Sequence, residues 1–129
     1  REESSWSLIR AMALLKVYSY SRCSTCRKAL AWLDSHGIDA DVVDITVVPP
    51  DRQTLVDALQ QFGQVKPLFN TSGQSYRALG AAVVKAMTDD EAIDALAADG
   101  KLIKRPFVCT ADAFLVGFKP EVWAEALLS

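Results

Sequence analysis

The pattern of apolar and polar positions predicts a β-α-β unit at the start of the chain. Residues 14–19 form a short apolar run typical of a buried strand, and a Ser/Tyr/Ser loop follows it. From residue 23 onward, apolar residues recur at helical spacing until Gly37, which we expect to end the helix. Residues 40–45, "ADVVDI", predict a second strand. The intervening helix supplies the crossover that a parallel strand pair needs.

The middle of the chain, residues 53–99, is predicted to be all-helical. The pair Pro49–Pro50 precedes a helix that we expect to close at Gly63. Farther on, "SYRALGAAVVKAM" predicts another helix, and Thr88 with Glu91 gives the Ser/Thr-x-x-Glu pattern of a capped helix start. We expect Gly100 to end that last helix.

The remaining residues predict two strands, around Pro106 and Asp112, and then a helix with Pro120 in its first turn. The resulting order is β-α-β, a helical insertion, then β-β-α, which is the order of an α/β thioredoxin-like (glutaredoxin-like) fold. We therefore expect a single domain at residues 12–129, with its core in 14–50 and 101–129 and the insertion in 51–100.

Composition fits this picture and excludes several classes of protein. With 129 residues and 50% hydrophobic content, one domain can form a core without metals or disulfides. The formal net charge of −2 argues against nucleic-acid wrapping. Three cysteines are too few for a secreted disulfide framework and favour a reducing cytoplasm.

The chain lacks an apolar run long enough for a membrane span, and its opening lacks the features of a signal peptide. Met12 is a candidate native start. Residues 1–11 would then be an upstream extension, a remnant of the expression vector, or a stretch that packs through Trp6, Leu8 and Ile9.

The strongest chemical signal is the pair Cys23 and Cys26 at the predicted strand-to-helix turn, with Arg22, Arg27 and Lys28 nearby. A helix N-terminus presents unpaired N–H groups and the positive end of the dipole, which stabilise a thiolate or a bound oxyanion. Cys23 is therefore the candidate nucleophile. Cys26, one turn later, could attack a mixed disulfide on Cys23 and would be the resolving thiol.

Other interpretations of these cysteines remain open. Both could be buried as small hydrophobic residues, since free cysteine is often buried. A zinc site is disfavoured because only Cys109 and His36 could complete four ligands. We expect no metal, a core position for Cys109, and a helix-end position for His36.

Arg105 precedes Pro106 in the loop that leads into the predicted third strand. In a thioredoxin-like domain this loop faces the active-site cysteine, and a cis proline would turn the preceding residue toward it. The planar guanidinium of Arg105 could then hold an oxyanion. The alternative is an exposed arginine with no such role.

The residues also resemble the ArsC/Spx group of thioredoxin-fold proteins, which includes glutaredoxin-coupled arsenate reductases and the Spx redox regulators of RNA polymerase. The similarity runs in order through most of residues 14–128. It is carried by "YSYSRCSTCRKAL", "PPDRQTL", "LFNTSGQSYRALG", "TDDEAIDAL", "LIKRPFVCT" and "GFKPEVW".

The resemblance to arsenate reductases implies an oxidoreductase without a bound cofactor. Cys23 would attack arsenate, and glutathione with glutaredoxin, or thioredoxin, would be the external thiol donor. Arg27 would lie in the anion loop, Arg105 would hold the oxyanion, and Lys119 stands where those enzymes carry another arginine.

Two positions depart from the arsenate reductases. Asn70 replaces a further active-site arginine, so it can donate hydrogen bonds but brings no charge. Cys26 adds a second thiol, which Spx-type regulators use as a switch and which a thioredoxin-recycled enzyme would need. Against the regulator, residues 71–73 read Thr-Ser-Gly where Spx proteins carry Thr-Arg-Ser.

The sequence thus predicts a thiol-dependent reductase of the arsenate reductase type, with Cys23, Cys26 and Arg105 as catalytic residues and Arg27, Asn70 and Lys119 as substrate-binding residues. The second hypothesis is an Spx-like regulator that binds the RNA polymerase alpha subunit through a Cys23–Cys26 switch. The third is an interaction domain with inert thiols. None of the three needs a membrane or direct contact with nucleic acid.

Overall fold

The structure of the protein is a computed structural model that describes residues 15–128. The expectations for the N-terminal stretch concern the extension up to residue 11, the start at Met12 and the beginning of the first strand at Leu14. They lie outside the described residues.

The sheet contains the four strands that the sequence predicts, and the first two are parallel, as expected. Its strands are β1 (Lys16–Ser19), β2 (Asp41–Asp44), β3 (Phe107–Cys109) and β4 (Phe114–Val116), in the spatial order β2-β1-β3-β4. β1 and β2 are parallel, whereas β3 is antiparallel to both β1 and β4. The mixed α/β, thioredoxin-like fold is therefore confirmed, and β1 lies centrally with its carboxyl end pointing to the predicted cysteine turn.

Helices connect and cover these strands. They are α1 (Ser24–Ser35), α2 (Arg52–Phe62), α3 (Gln74–Leu79), α4 (Ala81–Lys85), α5 (Asp89–Ala98) and α6 (Pro120–Leu128), with 3-10 turns at Lys66–Leu68 and Gly100–Leu102.

The middle of the chain is less continuously helical than the sequence predicts. The expected helix in "SYRALGAAVVKAM" is divided into α3 and α4 at Gly80, whose φ of +97° is outside the helical region. Phe69 also forms an isolated antiparallel bridge with Ile103, an extended contact that helical periodicity could not indicate.

The two faces of the sheet bury different apolar clusters, as the period of two along a strand requires. On one face, Val17 and Val108 pack with Leu33 of α1 and Trp123 of α6. The other face packs against the insertion and buries a larger cluster, whose members include Tyr18, Phe107, Leu55, Ile93 and Leu96. The two clusters hold α1 and the insertion on opposite sides of the sheet.

Local signals in the sequence explain where the main helices of the insertion begin and end. Asp51 caps α2 by accepting a hydrogen bond from Thr54 N at 2.8 Å, and Gly63 ends it with φ +79°. The predicted capping box of α5 is confirmed, since Thr88 and Glu91 each accept the other's backbone N–H. Within residues 15–128, helices stay too short or too polar to cross a bilayer.

Candidate active site

The turn between β1 and α1 places Cys23 at the N-cap of α1. Cys23 N donates to Tyr20 O at 3.0 Å, which closes the turn, and the Cys23 backbone is extended (φ −98°, ψ 116°). Its Sγ accepts a hydrogen bond from Cys26 N at 3.3 Å. The sulfur therefore occupies the place of an N-cap oxygen, where backbone N–H groups and the helix dipole favour negative charge.

The two thiols of the pair differ in exposure. Cys26 is fully buried, with 0% of its surface exposed, whereas Cys23 is half-buried at the edge of a cavity, and neither is in a disulfide. A reagent in solution therefore meets Cys23 first. Cys26 lies one helical turn inward, where it is positioned to react with a group already attached to Cys23.

The environment separates the pKa values of the two thiols. Burial tends to raise the pKa of Cys23, but hydrogen bonds from Cys26, with the hydrogen bond and charge of Arg105, outweigh it and lower that pKa. Burial, together with the hydrogen bond that its thiol gives to Cys23, raises the pKa of Cys26 to about 11. Cys26 therefore keeps its proton at neutral pH, and Cys23 is the thiol of the pair that ionises more readily.

Arg105 reaches the cysteine turn from the loop before β3. The Arg105–Pro106 peptide bond is cis. The guanidinium carbon of Arg105 lies 5.1 Å from the centroid of the Tyr20 ring, and Nη1 donates to Lys101 O at 3.4 Å. Arg105 Nε is buried and lacks a hydrogen-bond partner among the described residues. A buried donor without a partner is costly unless a ligand satisfies it.

A cavity of about 430 Å³ opens beside Cys23, within the size range of small-molecule sites. Ten residues line it: Cys23, Thr25, Asn70, Ser72, Lys104, Arg105, Val116, Gly117, Phe118 and Lys119. Four of the six predicted site residues thus meet at one place. They come from four separate stretches of the chain, which the fold brings together at the carboxyl end of β1.

The other two predicted site residues do not line the cavity. Cys26 lies beneath Cys23, as described above. Arg27 is exposed on α1, and its Nη1 donates to Ser21 O at 2.7 Å. In this position Arg27 ties the first turn of α1 to the preceding loop. Its role in substrate binding stays a prediction.

Asn70 is held in the cavity wall by the chain around it. Asn70 N donates to Leu102 O at 2.7 Å, and Ser72 Oγ donates to Asn70 Oδ1 at 3.3 Å. A Cβ at Gly73 would lie 2.6 Å from Asn70 Nδ2, so the Asn70 side chain can take this position only because residue 73 is glycine. Asn70 and Ser72 therefore offer neutral polar groups to the cavity.

Lys104 and Thr25 line the cavity but are not among the site residues that the sequence predicts. Thr25 stands between the two cysteines, so its place in the turn was a usable signal. Lys104 precedes Arg105, but the residue that precedes a site residue often points elsewhere, and only the fold shows that both line the cavity.

The remaining thiol and imidazole have positions away from the cavity lining. Cys109 on β3 is half-buried against the larger core cluster, and burial raises its pKa to about 11. His36 is the C-cap of α1, and its Nδ1 lies 2.8 Å from Trp32 O. Among residues 15–128, His, Cys, Asp and Glu do not gather in any group of three that could hold a metal ion.

Comparison with known proteins places this geometry among relatives. A sequence model of the ArsC family matches residues 18–126. The uncharacterized protein YusI of Bacillus subtilis is 39% identical over 113 residues, which are 86% of this chain and 96% of that protein. A solved structure of an ArsC family related protein from Bacteroides fragilis has a TM-score of 0.82 and 40% identity, covering 89% of this chain and 98% of that one.

Two more distant relatives have names that divide between catalysis and regulation. The arsenate reductase of Neisseria meningitidis serogroup A is 30% identical over 119 residues, covering 91% of this chain and 100% of that protein. The global transcriptional regulator Spx of Streptococcus pyogenes is 27% identical over 100 residues, covering 77% of this chain and 74% of that protein. Similarity alone is therefore compatible with an enzyme and with a transcriptional regulator.

Proposed function

The chain belongs to the ArsC family, and from this premise we propose that it is a thiol-dependent reductase of the arsenate reductase type that works in the cytoplasm. The observation that carries the proposal is the position of Cys23. Its sulfur, whose pKa is lowered, caps a helix and faces a cavity into which Arg105 brings a guanidinium. The buried Nε of that guanidinium has no hydrogen-bond partner among residues 15–128.

Binding of the substrate rests on the basic and polar lining of the cavity. A tetrahedral oxyanion beside Cys23 would accept hydrogen bonds from Arg105 and Asn70 and would interact with the charge of Lys119. The buried Arg105 Nε would give the anion a donor that is already desolvated, so that hydrogen bond contributes more than one to an exposed side chain.

The first chemical step is nucleophilic attack by the Cys23 thiolate on the arsenic atom of arsenate. A sulfur–arsenic bond forms, and one arsenate oxygen leaves as water after taking up protons. Negative charge that develops on the remaining oxygens is stabilised by Arg105 and the N-terminus of α1. No electrons have yet moved to arsenic in the net balance.

Reduction occurs in the second step, when a thiol attacks the sulfur of Cys23. The sulfur–arsenic bond breaks with its electron pair left on arsenic, which becomes arsenite, and a disulfide forms at Cys23. Cys26 is positioned for this attack, and its proton passes to the departing arsenite oxygen. An external thiol, supplied by glutathione and glutaredoxin or by thioredoxin, then reduces the disulfide.

The test is arsenate-dependent NADPH consumption, coupled in separate assays through glutathione with glutaredoxin and through thioredoxin. The parent protein should reduce arsenate. Cys23→Ser should abolish this turnover, because the serine hydroxyl cannot replace the thiolate as nucleophile. Cys26→Ser should abolish the thioredoxin-coupled reaction if Cys26 resolves the intermediate. Cys109→Ser is the matched control and should leave turnover unchanged.

Absence of turnover with both donors, or full turnover by Cys23→Ser, would refute the reductase. Turnover of Cys26→Ser with glutathione alone would place the second attack on the external thiol. That result would retain the enzyme and remove the resolving role of Cys26.

The second candidate is an Spx-like regulator, and the neighbouring thiols favour it together with the similarity to Spx. Oxidation to a Cys23–Cys26 disulfide would change the surface around the first turn of α1. This hypothesis predicts that the RNA polymerase alpha subunit is captured in one redox state and released in the other. Equal lack of capture in both states would eliminate it.

A further inference from the structure

The cavity lining carries more positive charge than the predicted site residues alone would give it. Lys104, Arg105 and Lys119 all line it, and no aspartate or glutamate belongs to its lining within residues 15–128. Asn70, on the same lining, is uncharged. Lys104 is the third cation of the lining, and it lies next to Arg105 in the chain.

Hydrogen bonds on both sides of the Phe69–Ile103 bridge fix Lys104 beside the Asn70 segment. Lys104 N donates to Leu68 O at 2.8 Å, and Asn70 N donates to Leu102 O at 2.7 Å. The two short stretches are thus paired in antiparallel fashion next to the cavity. The same pairing that positions the uncharged Asn70 also positions the Lys104 backbone.

Gly117 provides the space through which the Lys104 side chain passes. A Cβ at Gly117 would lie 3.0 Å from Lys104 Cε, and the φ of +71° at this residue favours glycine. The Gly117 backbone is held in place, since its N donates to Pro106 O at 3.0 Å and its O accepts from Trp123 Nε1 at 3.2 Å. The stem of Lys104 therefore packs against a fixed wall of the cavity.

The charge of Lys104 is not neutralised by an ion pair within the described part of the chain, where the salt bridges found join Arg52 to Asp90 and Asp94. Lys119 likewise has no carboxylate partner there. Lys104, Arg105 and Lys119 line the same cavity as Cys23. Their charges add at that cavity, so Coulomb attraction favours an anion there.

We infer that Lys104 is a further anion-binding residue of this site, and that the three cations select a tetrahedral ligand with at least two negative charges. The inference rests on the proposed function, which it deepens. Lys104 supplies the charge that Asn70 lacks, and Asn70 with Ser72 orients the bound oxygens through hydrogen bonds. Selection by charge number follows because each cation interacts with the whole charge of the ligand.

The test compares two tetrahedral anions of different charge, sulfate and perchlorate, at constant ionic strength. Binding is measured as protection of Cys23 from iodoacetamide, with each variant's rate without anion as its own baseline. Lys104→Gln removes the charge, Lys104→Arg keeps it, and Lys85→Gln is the control because Lys85 lies at the end of α4, outside the cavity lining.

The parent protein should be protected by sulfate much more than by perchlorate. Lys104→Gln should weaken sulfate binding about two- to fivefold, the size expected for one exposed charge pair, and should reduce the ratio of sulfate to perchlorate affinity. Lys104→Arg should restore most of the affinity, and Lys85→Gln should match the parent.

Sulfate binding by Lys104→Gln equal to that of the parent would overturn the inference, as would a parent protein that sulfate does not protect. The reductase proposal is judged separately by NADPH consumption. Sulfate protection that depends on Lys104, in a protein without arsenate turnover, would retain the anion site and reject the reaction.

Discussion

Replacement of Arg105 by glutamine should raise the pKa of Cys23. Arg105 acts on the thiolate through a hydrogen bond and through its charge, and both contributions lower the pKa. Glutamine keeps some of the side-chain volume but brings no charge. The hydrogen bonds from Cys26 remain in the variant, so only part of the depression should be lost.

The magnitude follows from the exposure of the site. A hydrogen bond to a charged group contributes about 1.5–3 kcal/mol, and the lower end applies here because the cavity is open to water, which screens the interaction. One pKa unit corresponds to about 1.4 kcal/mol. Loss of the Arg105 contact should therefore raise the pKa of Cys23 and lower the thiolate fraction below that pKa by roughly tenfold.

The pH dependence of alkylation provides a sharp assay. At a pH below the Cys23 pKa of both the parent protein and Arg105→Gln, the variant has about tenfold less thiolate. Each thiolate is about threefold more nucleophilic, so alkylation of the variant should be about threefold slower. Above both pKa values only the nucleophilicity differs, and the variant should react about threefold faster. The two pH–rate profiles of Cys23 should cross, and thiolate absorbance should give the same pKa values.

A variant that is slower at every pH would refute this reasoning, because that pattern indicates restricted access or a local structural change rather than a shifted pKa. An unchanged pKa would show that Arg105 does not interact with the thiolate in solution. Arg52→Gln is the matched control, since its guanidinium pairs with Asp90 and Asp94 on the insertion. It should leave the profile of Cys23 unchanged.

Three further outcomes follow from other contacts. Tyr20→Leu should raise the pKa of Cys23, because the ring that supports the Arg105 guanidinium is lost. Tyr20→Phe keeps the ring face and should leave that pKa unchanged. Equal thiolate titrations for the two variants would contradict this role of the ring. Gly100→Ala should destabilise the protein by about 3 kcal/mol or more in urea unfolding, because its Cβ would clash with the Ile45 carbonyl. Thr88→Ala should cost about 1 kcal/mol in the same titration, since the capping box is lost, and an unchanged midpoint would show that the cap is not stabilising.

The parts of the fold that sequence predicts well are those specified by neighbouring residues. Asp51 and Gly63 fix the ends of α2, and Thr88 with Glu91 fixes the start of α5, because caps act over three or four residues. The helix division at Gly80 was missed for the opposite reason. Apolar residues continue across it at helical spacing, and its conformation depends on how α3 and α4 pack onto the insertion.

The site divides along the same line. Cys23 and Cys26 were identified because a strand-to-helix turn is visible in the local sequence. Lys104 was not, because its place in the cavity depends on pairing with the segment near Leu68, more than thirty residues earlier in the chain. The platform that Tyr20 provides for Arg105 is likewise a contact between distant stretches. Periodicity and caps carry no information about such contacts.

The first turn of α1 gives two identical side chains different chemistry. Cys23 is outside the helix at the N-cap, so its sulfur receives hydrogen bonds and faces the cations. Cys26 is inside the turn and fully buried, so its thiol stays protonated and donates. Once Cys23 has bonded to a substrate, its negative charge no longer raises the pKa of Cys26. Attack by Cys26 thus becomes easier only after the first step, and the order of the two thiols is a property of the turn.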